Sequence, residues 1–232
     1  MPELSTIAFD ADDTLWHHEK YFVAAKDRFL ELLTPYGDPG KIESALHDTE
    51  IGNVRHYGFG IKSYTLSMVE TAVSVTDGRV PGKLIGELVE LGRAMLTHPV
   101  DPFPGVRDTL AALKPDHRLL VVTRGDLFDQ ERKLEASGLI DFFDEIEIVS
   151  DKTKAVYERI FTRHGDGPAR SMMIGNSMRA DVTPALEAGA WGVHIPSEHV
   201  WTLDIDADPI DASRFRRLPA ILDVLDLVRE IG

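Results

Sequence analysis

Thr6-Ile7-Ala8-Phe9-Asp10-Ala11-Asp12-Asp13-Thr14 decides the reading of this chain, because an apolar run of strand length stops abruptly at a cluster of carboxylates. A short apolar run bounded by a polar turn reads as a strand buried on both faces. In a parallel sheet wound by helices, ligands bind just beyond the carboxyl ends of the strands. Asp10 and Asp12 stand at such an end. Neighbours in an extended strand face opposite ways, but where the chain curls past the strand the two carboxylates can converge on one point, one to attack and the other to move a proton. Asp-rich turns are also ordinary loop chemistry, and Asp-x-Asp opens calcium loops. A calcium loop wants Gly at its sixth position and Glu at its twelfth, and this chain has Leu15 and Tyr21 there.

Further strand candidates come only after a gap of more than a hundred residues: Arg118 to Val122, Ile146 to Val149, Ser171 to Ile174 and Trp191 to Ile195. Helical segments alternate with them at Val106 to Leu113, Leu127 to Ser137, Lys154 to Arg163 and Pro184 to Ala188. That alternation predicts an α/β fold, a Rossmann-like parallel sheet with helices on both faces. The gap itself has helical periodicity in Tyr21, Phe22, Ala25, Phe29, Leu32 and Leu33, again over Tyr64 to Val73, and again over Leu84 to Leu96. Gly and Pro punctuate it at Tyr36 to Gly40 and Gly78 to Gly82. Residues 16–99 are therefore expected to form an all-helical cap domain, inserted in a catalytic core made of residues 1–15 and 100–232. The closely spaced prolines of Pro99 to Gly105 are expected to make the return hinge.

Composition narrows the partners. Of 232 residues, 43% are hydrophobic, enough for one full core plus an insertion, and the formal charge of −14 argues against nucleic acid and anionic membranes. There is no cysteine, so disulfides and thiolate metal sites are excluded. No apolar run approaches membrane-spanning length, and Met1-Pro2-Glu3 leads straight into the first strand with no signal-type segment, so a cytoplasmic location is expected. Oligomeric state has no signature in the sequence.

Each predicted strand is followed by polar residues that belong together. Asp10 and Asp12 follow the first, Thr123-Arg124-Gly125-Asp126 the second, Ser150-Asp151-Lys152 the third, and Gly175-Asn176-Ser177, with Asp181 close behind, the fourth. All four clusters should lie on one sheet edge. Their chemistry fits phosphoryl transfer, in which the transition state spreads charge over equatorial oxygens and needs cations and donors around it. Lys152 supplies positive charge and Thr123 a hydroxyl donor. Asp10 and Asp181 suit Mg²⁺, a hard cation that takes oxygen ligands, and Asn176 adds a neutral oxygen. The nine histidines are scattered, with no His-Glu-x-x-His zinc pattern.

These motifs resemble, in order, the four motifs of the haloacid dehalogenase superfamily: Asp-x-Asp-x-Thr at Asp10 to Thr14, then Thr123, Lys152, and Gly175-Asn176-Ser177 to Asp181. The helical insertion after the first motif resembles one of that family's cap types. The resemblance implies a Rossmann-like core, a required Mg²⁺ and a covalent aspartyl-phosphate. It implies that Asp10 is nucleophile and metal ligand, and that Asp12 is the acid and base and gives its backbone carbonyl to the metal. Thr123 and Lys152 would hold the phosphoryl group, with Asn176 and Asp181 completing the metal site. Lys154 is a rival for the third motif, but Lys152 is nearer the strand end. Asn176 replaces an acid of the commonest family pattern, which removes a negative charge from the metal site and leaves more of the binding to Asp181.

Asp12 narrows the reaction further. A halide leaves without a proton whereas an alkoxide needs one, so an acid at this position favours phosphate ester hydrolysis over dehalogenation. The expected activity is a Mg²⁺-dependent phosphatase acting on a small phosphorylated metabolite, with a phosphomutase and a non-catalytic metal-binding or regulatory module as alternatives. Arg124, beside Thr123, and His17, directly after the first motif, are candidate substrate contacts. His18, Arg55, His56 and Tyr57 are further positions that could face substrate, and the segment from His194 to Asp208 could form a loop near the site.

Overall fold

The computed structural model describes residues 4–199, 201, 204–207 and 213–231. Met1 to Glu3, and Val200, Thr202, Leu203 and Asp208 of the segment after His194, lie outside the described residues. The strands are β1 (Thr6–Phe9), β2 (Arg118–Arg124), β3 (Glu145–Val149), β4 (Ser171–Gly175), β5 (Trp191–His194) and β6 (Phe215–Arg217). They form one sheet in the order β3-β2-β1-β4-β5-β6, and every neighbouring pair is parallel. β1 lies at the centre, with Phe9 level with Val121 of β2 on one side and Ile174 of β4 on the other. The winding therefore reverses at β1 and β4, the place where α/β sheets open a crevice for ligands.

Alternation along the central strands feeds two cores. Ile7 and Phe9, Leu119 and Val121, and Met172 and Ile174 face one side. There they meet α5 (Val106–Leu113), α6 (Leu127–Ser137) and α9 (Val224–Ile231) through Val106, Leu110, Leu134, Val224, Leu227 and Val228. Ala8, Leu120, Val122 and Met173 face the other side, against Tyr157, Ile160 and Phe161 of α7 (Lys154–His164) and Ala185 of α8 (Thr183–Glu187). All four residues of β1 are buried. Burying a side chain such as Ile7 or Phe9 stabilises by roughly 1.5–3 kcal/mol over leaving it exposed. The sheet is thus a rigid platform whose strand ends are held in fixed register.

The chain packs as two compact units. One comprises Met1–Glu19, Val100–Arg124 and Gln130–Gly232, and the other Lys20–Pro99 with Gly125–Asp129. Within the first, the outgoing and returning chain pair beside the sheet: Trp16 bridges to Pro102, and the Phe103 N–H donates to the Leu15 carbonyl at 2.8 Å. The second contains α2 (Pro39–Tyr57), α3 (Ile61–Val75), α4 (Gly82–Leu96) and nearly all of α1 (Glu19–Leu33). Its core is Ala25, Phe29, Leu33, Ile42, Leu46, Tyr64, Met68, Leu88 and their neighbours. α2 was not expected. Asp38 caps it by accepting from the Lys41 N–H at 3.0 Å, and Pro39 occupies the first turn. β6 and α9 were not expected either.

Candidate active site

The loop after β1 is built by its own side chains. Asp13 takes the left-handed conformation, φ 58°, which an Asp tolerates better than a branched residue. Its carboxylate accepts the His18 and Glu19 N–H groups at 2.9 and 2.8 Å, while the Asp13 N–H donates to the Trp16 carbonyl at 2.7 Å. This closes a tight turn that fixes Asp10 and Asp12. The Asp10 N–H still continues the sheet, donating to the Ile174 carbonyl at 2.8 Å. The Asp10 carboxylate is buried, accepting from Lys152 Nζ at 2.5 Å and Thr14 Oγ1 at 3.2 Å.

Lys152 follows β3 and is also buried, and its Nζ reaches Asp181 Oδ1 at 2.6 Å. One ammonium therefore bridges two carboxylates. Asp181 is fully buried and is aimed by the turn that carries it. Met178–Val182 is a π-helical turn, a distortion frequent at functional sites. Ser177 caps this turn, its Oγ accepting the Ala180 N–H at 2.9 Å, while the Ser177 N–H donates to Asp181 Oδ2 at 2.9 Å. Gly175 is required here, since a Cβ at that position would stand 2.1 Å from Asp181 Oδ2. Burial, opposed by Lys152 and reinforced by Asp181, pushes the Asp10 carboxyl up to about 7. Burial alone would lower the Lys152 ammonium, but Asp10 and Asp181 outweigh it and hold it above its ordinary value.

Asp12 sits in a different environment. Trp16 Nε1 donates to Oδ1 at 2.8 Å, Gln130 Nε2 to Oδ2 at 3.0 Å, and Lys133 Nζ to both oxygens at 2.8 and 2.6 Å. His18 Nε2 lies 3.6 Å from Oδ2. Burial opposes ionisation, yet His18 and Lys133 overcome it and hold this carboxyl well below the usual range. Two carboxylates two residues apart are thus driven in opposite directions, Asp10 toward its protonated form by burial and Asp12 toward its charged form by His18 and Lys133.

Thr123 is buried near the end of β2, level with Ile148 of β3. Arg124 pairs with Asp204 at 3.0 Å and lies 3.9 Å from Asp151. Asn176 Oδ1 accepts from Thr14 Oγ1 at 3.4 Å, and the Asn176 carbonyl is 2.9 Å from His194 Nε2. His17 is exposed, its ring edge against Phe103 at 4.1 Å between centroids, so His18 is the histidine beside Asp12. Lys154 is solvated and lies 3.7 Å from Glu158. Gln130 and Lys133 lie outside every motif of the sequence. Their only signal was two polar residues at i and i+3 on one helix face, which is also how solvated faces look.

The donor set suits a hard divalent cation. Lys152 Nζ joins the Asp10 and Asp181 carboxylates and Thr14 Oγ1 joins Asp10 to Asn176 Oδ1, so two carboxylates and one neutral amide oxygen, all oxygen donors, are gathered in one place. Among the described residues, no group of three or more His, Cys, Asp or Glu side chains forms a metal centre. A set this lean leaves positions for water and phosphate oxygens, as Mg²⁺ prefers.

The chain matches the haloacid dehalogenase-like hydrolases over residues 4–189 and belongs to that family. It is similar to the glyceraldehyde 3-phosphate phosphatase of Methanothermobacter thermautotrophicus, 28% identical over 227 residues that cover 90% of this chain and 96% of that protein. A haloacid dehalogenase-like hydrolase from Xanthomonas campestris has the same fold with a TM-score of 0.88 and 39% identity, covering 99% of this chain and 92% of that one. The HAD-hydrolase YfnB of Bacillus subtilis, solved bound to magnesium, aligns at a TM-score of 0.64 and 17% identity over 97% and 99% of the two chains. Among the described residues, no helix is long and apolar enough to cross a membrane.

Proposed function

We propose that this hydrolase is a Mg²⁺-dependent phosphatase of small phosphate esters, acting through an aspartyl-phosphate on Asp10. The observation that carries the reading is the buried Lys152 bridging Asp10 and Asp181 with Asp12 held separately two residues on. In the first step an Asp10 carboxylate oxygen bonds to phosphorus as the ester P–O bond breaks, and Asp12 gives the departing alkoxide its proton. In the second, Asp12 takes a proton from water, whose oxygen bonds to phosphorus and displaces Asp10, releasing inorganic phosphate. Lys152 and Thr123 hold the phosphoryl oxygens in both steps. Mg²⁺, held by Asp10, Asp181, Asn176 and the Asp12 carbonyl, would supply charge neutralisation for the incoming anion. In this reading the helical unit is the cap. The 28% identical phosphatase makes a triose phosphate the first ester to test.

The test is phosphate release from a panel of phosphorylated metabolites with Mg²⁺ and with excess EDTA. Release should vanish on chelation, return with Mg²⁺ and return poorly with Ca²⁺, whose larger and looser shell positions the attack badly. Full activity after exhaustive chelation would remove the metal from the reading. Transfer between sugars without net phosphate would favour a mutase.

A second expectation concerns stability. Asp10 and Asp13 hold their protons up to about 7 and about 6 in the fold, against 3.8 ordinarily, both chiefly through burial. Groups raised in this way contribute stability that is fully present below pH 4 and is lost as pH rises through 6 to 7. In chelator, the thermal midpoint should therefore fall between pH 5 and pH 8, on the order of 5–10 °C for a chain of this size. Mg²⁺ should raise it more at pH 8 than at pH 5, because binding competes with protons for Asp10. The fall should shrink in Asp10→Asn. A Mg²⁺ shift that is equal at both pH values would argue against Asp10 as a ligand.

A further inference from the structure

Lys133 and Gln130 are both buried on α6, 3% and 2% exposed. A lysine is almost never buried this deeply unless it is paired. Its Nζ bonds both oxygens of Asp12, at 2.8 and 2.6 Å. Gln130 Nε2 bridges Asp12 Oδ2 at 3.0 Å and the Arg124 carbonyl at 2.9 Å, while its buried Oε1 has no hydrogen-bond partner. Leaving a buried acceptor unmet costs about 1–3 kcal/mol, so this amide is oriented for its two acceptors at the expense of stability. Trp16 Nε1 donates to Oδ1 at 2.8 Å, and His18 Nε2 lies 3.6 Å from Oδ2. Three donors from two separate segments thus make four bonds to one carboxylate and fix its plane, so a proton reaches it as one donor gives way.

We propose that Lys133 and Gln130, with Trp16, are positioning residues that hold the Asp12 carboxylate in the orientation from which it exchanges a proton with the leaving group and with water. This inference rests on the proposed role of Asp12. A rigid shell around a proton-transfer group matters because a displacement of about 1 Å can cost about 10²-fold in rate. The competing account is that the cluster only stabilises the loop. A buried ion pair is weak evidence for stability, since apolar replacements are often neutral.

The two accounts separate in single-turnover kinetics of Lys133→Met, Lys133→Arg and Gln130→Leu on an alkyl phosphate and on p-nitrophenyl phosphate, whose phenolate leaves unaided. Positioning predicts that Lys133→Met lowers kcat on the alkyl ester by about 10–10²-fold with KM nearly unchanged. Formation of the aspartyl-phosphate from the aryl ester should change far less, and the phosphoenzyme should accumulate. Arg at 133 should restore part of the loss, because a guanidinium can also fork onto a carboxylate. Gln130→Leu removes the bonds to Asp12 and to the Arg124 carbonyl together with the unmet acceptor, and should show the same signature at smaller size, about 3–10-fold. Equal losses on both esters that follow thermal stability would overturn the proposal, as would faster turnover in any of these variants. Asp12→Asn is the reference. If it discriminates between the esters and the α6 variants do not, only the positioning role falls; if Asp12→Asn shows no discrimination, the reading of Asp12 falls and takes this inference with it.

Discussion

Asp10→Asn is expected to lower turnover by at least about four orders of magnitude, because an amide oxygen cannot form the covalent bond to phosphorus on which both steps of the proposed mechanism depend. The protein should stay folded. Asn is nearly isosteric, its carbonyl can still accept from Thr14 Oγ1, and Lys152 keeps Asp181 at 2.6 Å. Burial pushes the Asp10 carboxyl up, so the native charge there is held against a desolvation penalty that the amide does not incur. The variant should therefore be no less stable than the parent at pH 8 in chelator, while losing activity. Denaturant unfolding together with mass spectrometry after mixing with substrate checks both halves: native stability, and no phosphate attached to the chain. Wild-type-like turnover in the purified variant would end the covalent mechanism.

The platform of the site was legible in the sequence because the central strands, buried on both faces, are apolar through their middles. Thr6 to Phe9 is bounded in the structure as its composition implies, and β2 runs only two residues beyond the expected Val122, through Thr123 and Arg124. β6 escaped because Phe-Arg-Arg at a sheet edge has neither an apolar run nor alternation. α2 escaped for a related reason. Its buried face is only Ile42, Leu46 and Asn53, too thin a stripe to stand out, although Asp38 and Pro39 marked its start. α9 had Val224, Leu227, Val228 and Ile231 at helical spacing, and no chemistry drew the eye to it.

Within the site, order along the chain located the residues that end strands, since strand ends are fixed by topology. The partners of Asp12 were of another kind. Gln130 and Lys133 are brought to it by the packing of α6 across the sheet, through Leu134 on the core side, and that is a tertiary fact with no local spelling. The pairing of Arg124 with Asp204 is similar, joining a strand end to a residue 80 positions later. The fold by itself leaves the leaving group open, since one scaffold hosts many reactions. The choice between chemistries therefore falls on the single carboxylate that a halide would not need.

Asp12→Asn tests that choice, and the structure sharpens where its effect should fall. Held low by His18 and Lys133 against its burial, Asp12 is a carboxylate at neutral pH, already in the form that the proposed second step requires. To protonate an alkoxide in the first step it must gain a proton first. A p-nitrophenolate makes no such demand. The variant should therefore still transfer the phosphoryl group from p-nitrophenyl phosphate to Asp10, and then stall, with hydrolysis of the intermediate slowed by about 10²–10⁴, the usual worth of a general acid or base. Alkyl phosphates should lose in both steps and so fall further. Rapid-quench measurement on both esters, with mass spectrometry locating phosphate on Asp10, reads the two steps separately. If the two esters lose equally and no phosphoenzyme forms, Asp12 serves only to anchor the turn through Trp16 and Lys133, and the proton passes through another group.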